Sequence, residues 1–449
     1  MSELTITERT TCRSCGTILP KENLLSLGVQ HIVDFLVDGE EGRGQAPLEL
    51  VLCSACQLLQ LRHTVNADIL YRKFWYRSGI NEQMRSALRD IVVQAENRVH
   101  LKAGDYVCDI GSNDGTMLSY YDKDIRKVGF EPATELGIEA SQKVKGKFVL
   151  DYFNAAAALK ASGDKKYKVV TAIAMFYDLE HPAQFVKDIR EVLHDDGLFI
   201  VQMNYLPLMM QILSFDNIGH EHLCYYSLTA LKGLFDQFGL KIVEVDLNGV
   251  NGGSIRIYAR KALKEKDWQL DPEVDVLLEE EKQHLTPTTY KAFAERVQTQ
   301  GRQLKEFLYN LKEKGKTVYV YGASTRGSTL LQTIMEGSDA REVLAGAAER
   351  DPNKWGRKMA GLNLVIVPED TARRVADFML ILCYHFWESI SKRERDWMMK
   401  GGKFILPVPY PRVVSLEDAN GTLTLVAKEL KKEMEELGEK RTLEEGLRR

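Results

Sequence analysis

Four thiolates stand in two pairs near the start of the chain, Cys12-x2-Cys15 and Cys53-x2-Cys56. Four soft ligands in paired CxxC turns suit a tetrahedral Zn2+ of the closed, structural kind, with no coordination position left for a substrate. In a reducing compartment such pairs hold metal more often than they form disulfides. His31 and His63 are not needed to complete the set and read as surface residues. Cys108, Cys224 and Cys383 are scattered and read as small buried apolar residues.

A second group suits a small cationic ligand. Residues 105–115, DYVCDIGSNDG, form a strand that ends in an acid and a glycine-containing turn and then enters a helix. In a doubly wound sheet this sets backbone N–H groups at the carboxyl end of the first strand, where ligands bind. Gly111 and Gly115 let the backbone approach a ligand, while Asp109 and Asp114, with Asn113 between them, repel phosphates and suit a cation with an amino-acid tail. The absence of G-x-G-x-x-G argues against a dinucleotide at this turn. The expected ligand is S-adenosylmethionine. Glu131, ending the next strand in VGFEP twenty residues after Gly111, is placed to accept both ribose hydroxyls. Asp151, after KFVL, is placed to reach the adenine amine, with Tyr152 or Phe153 beside the ring. The alternative for these acids is helix capping.

The third group is FDNIGHEHLCYYS, residues 215–227, in which His220, Glu221 and His222 are consecutive and two tyrosines follow. Histidine is the side chain best matched to proton transfer near neutral pH. As a metal site the triplet is poorer, because His220 and His222 converge on one ion only in a suitable loop or strand geometry. Asn251-Gly252-Gly253-Ser254 is a turn that either offers backbone and hydroxyl to a substrate or closes a hairpin.

The elements that must position these groups fall into distinct regions. Residues 1–75 are short apolar stretches broken by Gly, Pro and Cys, as in a small domain that relies on a metal. Residues 76–262 turn helical and then alternate apolar strands with amphipathic stretches, which predicts a parallel, doubly wound sheet. Residues 263–310 are charged, lack a strand signal and read as a helical linker. Residues 311–449 repeat the strand–helix alternation from KTVYVYGASTRG onward and end in a charged helix, which predicts a second Rossmann-like domain. The fold class is therefore α/β, a Rossmann-like domain flanked by a small zinc domain and a second α/β domain. In the last of these, GASTRG opens a helix whose N-terminus can face an anion, with Ser324, Thr325 and Arg326 as donors. A sugar-nucleotide diphosphate is the preferred guest. NAD is the competitor, with Glu349 or Asp351 as the ribose acid, although the third glycine of the fingerprint is missing.

At 449 residues two or three domains are expected, and a formal net charge of −4 without a basic, aromatic-laced run excludes a nucleic-acid footprint. The polar, cysteine-bearing start is no signal peptide, and no apolar run approaches the roughly 20 residues of a membrane span. The expected location is the cytoplasm and the expected partner a small molecule.

Taken in order, CRSCG, CSACQLLQL, YRSG, DIGSNDG, GFEP, FDNIGHEHLCYYSL, NGGSIRIY and YGASTRGSTLL resemble the deoxysugar C-methyltransferases over nearly the whole chain. The resemblance implies methylation of C3 in a nucleotide-linked 4-keto-sugar, with His222 as general base, Glu221 and His220 orienting it or binding substrate hydroxyls, and Tyr76 reaching in from the N-terminal segment. Tyr225, Asn251 and the GASTRG residues are then expected at the substrate. Relatives carry Tyr where this chain has Gly219 and a His where it reads MFYDLEHP, so Tyr177 or His181 is the expected stand-in. Methylation of oxygen or nitrogen, or a non-catalytic sugar-nucleotide scaffold, are the alternatives.

Overall fold

The computed structural model describes residues 3–72 and 74–416. The charged helix expected at 426–449 lies outside the described residues.

Each CxxC pair forms a tight turn closed by a left-handed residue. The N–H of Gly16 donates to the carbonyl of Cys12 and that of Gln57 to the carbonyl of Cys53, both at 3.0 Å, with φ of 73° and 57°. The turns flank a small antiparallel sheet of Leu25–His31, Gln45–Leu52 and Leu59–Leu61, whose fourth strand, Cys224–Tyr225, is contributed from far along the chain. There Cys224 pairs with Gln60 and Tyr225 with Leu59. The N-terminal domain is thus completed by the loop that carries the HEH triplet.

The central sheet has seven strands in the spatial order Leu240–Asn248, Ser254–Lys261, Leu193–Asn204, Tyr167–Ile173, Tyr106–Ile110, Arg126–Phe130, Lys147–Val149. Six run parallel; Ser254–Lys261 is antiparallel to both its neighbours. Helices cover both faces, so strand residues such as Val169, Val170, Phe199 and Ile200 are fully buried and form continuous apolar runs. The carboxyl ends of Tyr106–Ile110 and Tyr167–Ile173, side by side, open onto the cofactor turn and MFYDLEHP.

The linker is two helices, Pro272–His284 and Pro287–Glu313, each begun by a capping residue and a proline. The first is docked: buried Glu281 accepts hydrogen bonds from the Tyr205 hydroxyl, the N–H groups of Leu228 and Thr229, and the Thr229 hydroxyl. The second α/β domain orders its strands Ile366–Pro368, Ala347–Glu349, Val318–Tyr321, Phe378–Ile381, Lys403–Leu406, Arg412–Val414, the last antiparallel. Lys358–Met359 pairs with Phe35–Leu36 of the N-terminal domain, so each domain touches the other two.

Candidate active site

The sulfurs of Cys12, Cys15, Cys53 and Cys56 all lie within 4.8 Å of one another. Cys12 Sγ to Cys56 Sγ is 3.5 Å and Cys15 Sγ to Cys53 Sγ is 3.6 Å. These spacings are far too long for disulfides and close to the ~3.8 Å edge of a tetrahedron with Zn–S bonds of about 2.3 Å. The donor set fits Zn2+, and its closure by four thiolates leaves the ion a structural role. Arg13, one residue after the first ligand, donates to Gln60 and pairs with Glu180, which also receives Arg9 and the Thr64 hydroxyl. Glu180 belongs to MFYDLEHP, so the zinc domain grips that segment as well.

At the cofactor turn Gly111 and Gly115 have φ of 71° and 75°, and Asn113 a φ of 51°. Asp109 and Glu131 are 4% and 6% exposed and have no ion-pair partner among the described residues. Burial, opposed by the Thr171 hydroxyl at 2.8 Å and aided by Glu131, pushes the Asp109 carboxyl up to about 7. Two buried acids with no cation, beside a left-handed glycine turn, fit a ligand that brings positive charge and ribose hydroxyls, as S-adenosylmethionine does. Glu131 is also a brace: its oxygens accept the N–H groups of Asn113 and Ala133, each at 2.8 Å. Asn113 and Asp114 use their side chains to hold the preceding segment down, accepting from the N–H groups of Ser78 at 2.9 Å and Gly79 at 3.0 Å. A Cβ at Gly79 would stand 2.6 Å from Asp114 Oδ2, so a larger residue there would push that carboxylate aside. Asp151 is exposed and paired with Arg72 at 3.1 Å.

The HEH loop hangs between domains. The N–H of Leu61 donates to the Leu223 carbonyl, and the Tyr71 hydroxyl to the Glu221 carbonyl at 2.6 Å. His220 is 3% exposed and its Nε2 donates to the Ala46 carbonyl at 2.9 Å, with burial pushing its basicity down to about 4. Its ring is committed to the N-terminal sheet. His222 is different. Its Nδ1 lies 2.6 Å from the Asn217 carbonyl, which can only accept, so Nδ1 carries the proton and Nε2 is left with a free lone pair. Burial holds His222 below its ordinary value, with Glu221 and the Asn217 carbonyl opposing and Arg326 adding to the drop. Tyr177 packs on the imidazole with ring centroids 4.3 Å apart. Tyr177, not the exposed His181, stands beside the histidine.

The structure brings Tyr76, Glu221, His222 and Tyr225 together with Tyr177. Tyr76 and Glu221 both act on the acidity of Tyr177, and Glu221 on that of Tyr225. It adds residues that the sequence reading missed. Asp178 buries an Oδ1 that has no partner, and burial and then Glu221 push its carboxyl well above the usual range. Asp216 accepts from Arg326 Nε at 3.0 Å and from the Tyr384 hydroxyl at 2.7 Å. His385 lies against the 251–253 turn, its Cβ 3.5 Å from where a Cβ on Gly252 would be. Within GASTRG the Ser324 hydroxyl caps its own helix by accepting from Gly327 N–H at 3.0 Å, Thr325 is half-buried, and Arg326 turns to Asp216. Asn251, with a φ of 54°, offers its carbonyl to Arg326 Nη1 at 2.8 Å, so the turn both closes a hairpin and joins the two α/β domains.

A zinc-binding module, a methyltransferase-type sheet with an acid-lined glycine turn and a histidine-bearing loop define a methyltransferase. Residues 12–71 match a zinc binding domain model, residues 80–245 a methyltransferase domain, and residues 249–409 a C-methyltransferase C-terminal domain. The chain is 30% identical over 413 residues to the C-methyltransferase NovU of Streptomyces niveus, spanning 90% of this chain and 97% of that one. It belongs to this family of C-methyltransferases. Among solved structures it is similar to the magnesium protoporphyrin IX methyltransferase of Synechocystis, at 15% identity over 40% of this chain and 82% of that one with a TM-score of 0.32. It is also similar to the N-methyltransferase NodS of Bradyrhizobium japonicum, at 11% identity over 41% and 99% with a TM-score of 0.32.

Proposed function

We propose that the protein methylates carbon 3 of a 4-keto-deoxysugar carried on a nucleotide, in the cytoplasm. The observation that carries this reading is the tautomer of His222: a half-buried imidazole whose Nδ1–H is spent on a main-chain carbonyl and whose Nε2 is free to take a proton. A carbon beside a ketone is a nucleophile only after its proton is removed, and a neutral histidine is suited to remove it. Bound S-adenosylmethionine supplies a methyl group on a positively charged sulfur, the electrophile that the carbon needs. Asp109 and Glu131 hold the cationic and ribose portions of that ligand. Asn113 and Asp114 keep Tyr76–Gly79 lying over it, which excludes water and brings Tyr76 toward the sugar. Glu221 steadies the charge that His222 gains, and the carboxyl of Asp178 offers a hydrogen bond to a sugar hydroxyl. Tyr225 and Asn251 line the sugar, and Thr325 with the N–H groups at the start of its helix takes the diphosphate.

The test is transfer of an isotope-labelled methyl group to a panel of nucleotide-linked 4-keto-sugars, with the product examined by NMR. The expected product carries a carbon-bound methyl at C3. A methyl found on oxygen or nitrogen, or no transfer to any member of the panel, would overturn the reading.

A further inference from the structure

Arg326 reaches from the second α/β domain into the first with two of its three nitrogens already committed. Nε donates to Asp216 Oδ2 at 3.0 Å and Nη1 to the Asn251 carbonyl at 2.8 Å. Nη2 is enclosed and has no partner. A charged donor left unpaired inside a protein is costly, so its persistence calls for an acceptor that arrives with the ligand.

Where that acceptor must sit follows from the neighbours. Asp216 and Asn217 are consecutive in the short turn Phe215–Asn217. The side chain of the first holds Arg326 and the carbonyl of the second holds His222, so guanidinium and imidazole hang from adjacent residues of one rigid turn. The Tyr384 hydroxyl takes the other Asp216 oxygen, which leaves that carboxylate no freedom to swing. Arg326 acts electrostatically on His222, Tyr177 and His385 alike, and His385 Nδ1 is likewise enclosed without a partner.

The chemistry then selects the role. When His222 takes the proton, the C–H bond breaks, its electron pair forms a C=C bond, and the C=O pair moves onto oxygen as an enolate. That oxygen is two bonds from the carbon beside the base, hence close to the base itself. The new C–CH3 bond would form from the enolate pair as the methyl–sulfur bond of bound S-adenosylmethionine breaks with its own pair left on sulfur, and the ketone is restored. A fixed, buried, permanently charged donor aimed at the oxygen stabilises the enolate without reorganising.

We propose that Nη2 of Arg326 donates to the ketone oxygen of the substrate and holds the negative charge that develops there, making the second α/β domain a contributor of a catalytic residue to the first. This rests on the reading of the site as one that methylates carbon beside a ketone, and it takes Arg326 away from the diphosphate.

The experiment follows deuterium exchange at C3 of a nucleotide-linked 4-keto-sugar in D2O, with S-adenosylhomocysteine present so that no methyl moves, for the full-length wild type, Arg326→Gln and Arg326→Lys. Substrate affinity and melting temperature are measured alongside. Arg326→Gln should lose about a hundredfold or more in exchange, on the scale of a lost oxyanion donor. Arg326→Lys should lose about tenfold, with substrate Kd changed by less than about fivefold in both. The acid limb of the exchange profile should also move to higher pH in Arg326→Gln, because a positive neighbour of His222 is gone. Exchange within about threefold of wild type in Arg326→Gln would overturn the proposal. So would a matching loss of affinity for the sugar nucleotide and for the bare nucleoside diphosphate, which would return Arg326 to the phosphates. If Arg326→Gln melts early, the split between exchange and affinity in Arg326→Lys decides in the same terms. A wild type that exchanges no keto-sugar proton would overturn the functional reading and this proposal together, whereas unaffected variants overturn this proposal alone.

Discussion

Tyr177 and His222 form one packed aromatic pair, their ring centroids 4.3 Å apart and their planes inclined by 56°. Tyr177 is only 7% exposed and follows the strand that ends beside the cofactor turn, so it ties the central sheet to the loop that carries His222. Tyr177→Phe keeps the ring and should leave the rate within a few fold of wild type. Tyr177→Ala should lower kcat about fivefold, the worth of an aromatic contact of roughly 1 kcal/mol, with KM nearly unchanged. Steady-state kinetics on the two variants check this.

His222→Asn should keep cofactor and substrate binding but lose about a hundredfold or more in methylation, the usual scale of general base catalysis. Exchange of the C3 proton should fall equally, since it reports proton removal alone. Exchange retained while methylation is lost would assign His222 to a later step. Burial holds the folded-state basicity of His222 below its ordinary 6.5, so the free base is present throughout the neutral range and the acid limb of the rate profile should fall below pH 6.5.

Asp109 predicts a pH dependence of cofactor affinity. Its carboxyl is pushed up to about 7, so below that pH it is largely neutral, and a cationic ligand binds the ionised form better. Affinity for S-adenosylmethionine should therefore tighten as pH rises through 7, by at most about tenfold per unit below that value, and level off above it. Calorimetry across pH should show this slope, together with proton release on binding, and Asp109→Asn should abolish both while weakening affinity.

Zinc should be present at one ion per chain, and Cys53→Ser should remove it. Because the metal ties both CxxC turns to the sheet, the variant should melt several degrees lower and lose activity as a consequence. Metal analysis with thermal melts checks this; a metal-free protein of wild-type stability would contradict it.

His220→Ala tests the division of labour within the triplet. It leaves the buried Ala46 carbonyl without its donor, so stability should drop by about 1–3 kcal/mol while the pH profile of the reaction keeps its shape. Denaturant melts and a pH–rate profile on the same preparation separate the two effects.

The order of elements was legible because residue type carried it. Paired CxxC turns, apolar runs ending in Asp109 and Glu131, and HEH between two strands are all statements about side chains. What escaped were the roles given by main-chain atoms and by distance along the chain. The Asn217 carbonyl fixes the His222 tautomer, yet a carbonyl leaves no mark in a residue type. His220 and His222 look equivalent in sequence and part company only because Ala46, from another domain, lies against the first. Asn113 and Asp114 read as ligands of the cofactor because acids and amides at such a turn usually face it, and here their side chains are spent on the segment above. The two Rossmann-like halves also share a device that no sequence pattern displayed. Glu131 accepts the N–H of Asn113 across the first turn as Glu349 accepts that of Ala323 across the second, at 2.8 Å and 3.0 Å.

The strand Cys224–Tyr225, fourth in the N-terminal sheet, sets an order on synthesis. All four cysteines leave the ribosome long before residue 225 does, so the metal can be bound while the edge of Leu59–Leu61 still waits for its neighbour. An unpaired, apolar strand edge is what nascent chains pair wrongly. In this protein the zinc turns keep that edge in shape, and the segment that finally covers it is the one that carries His222, so closing the edge and assembling the proposed active site are a single event.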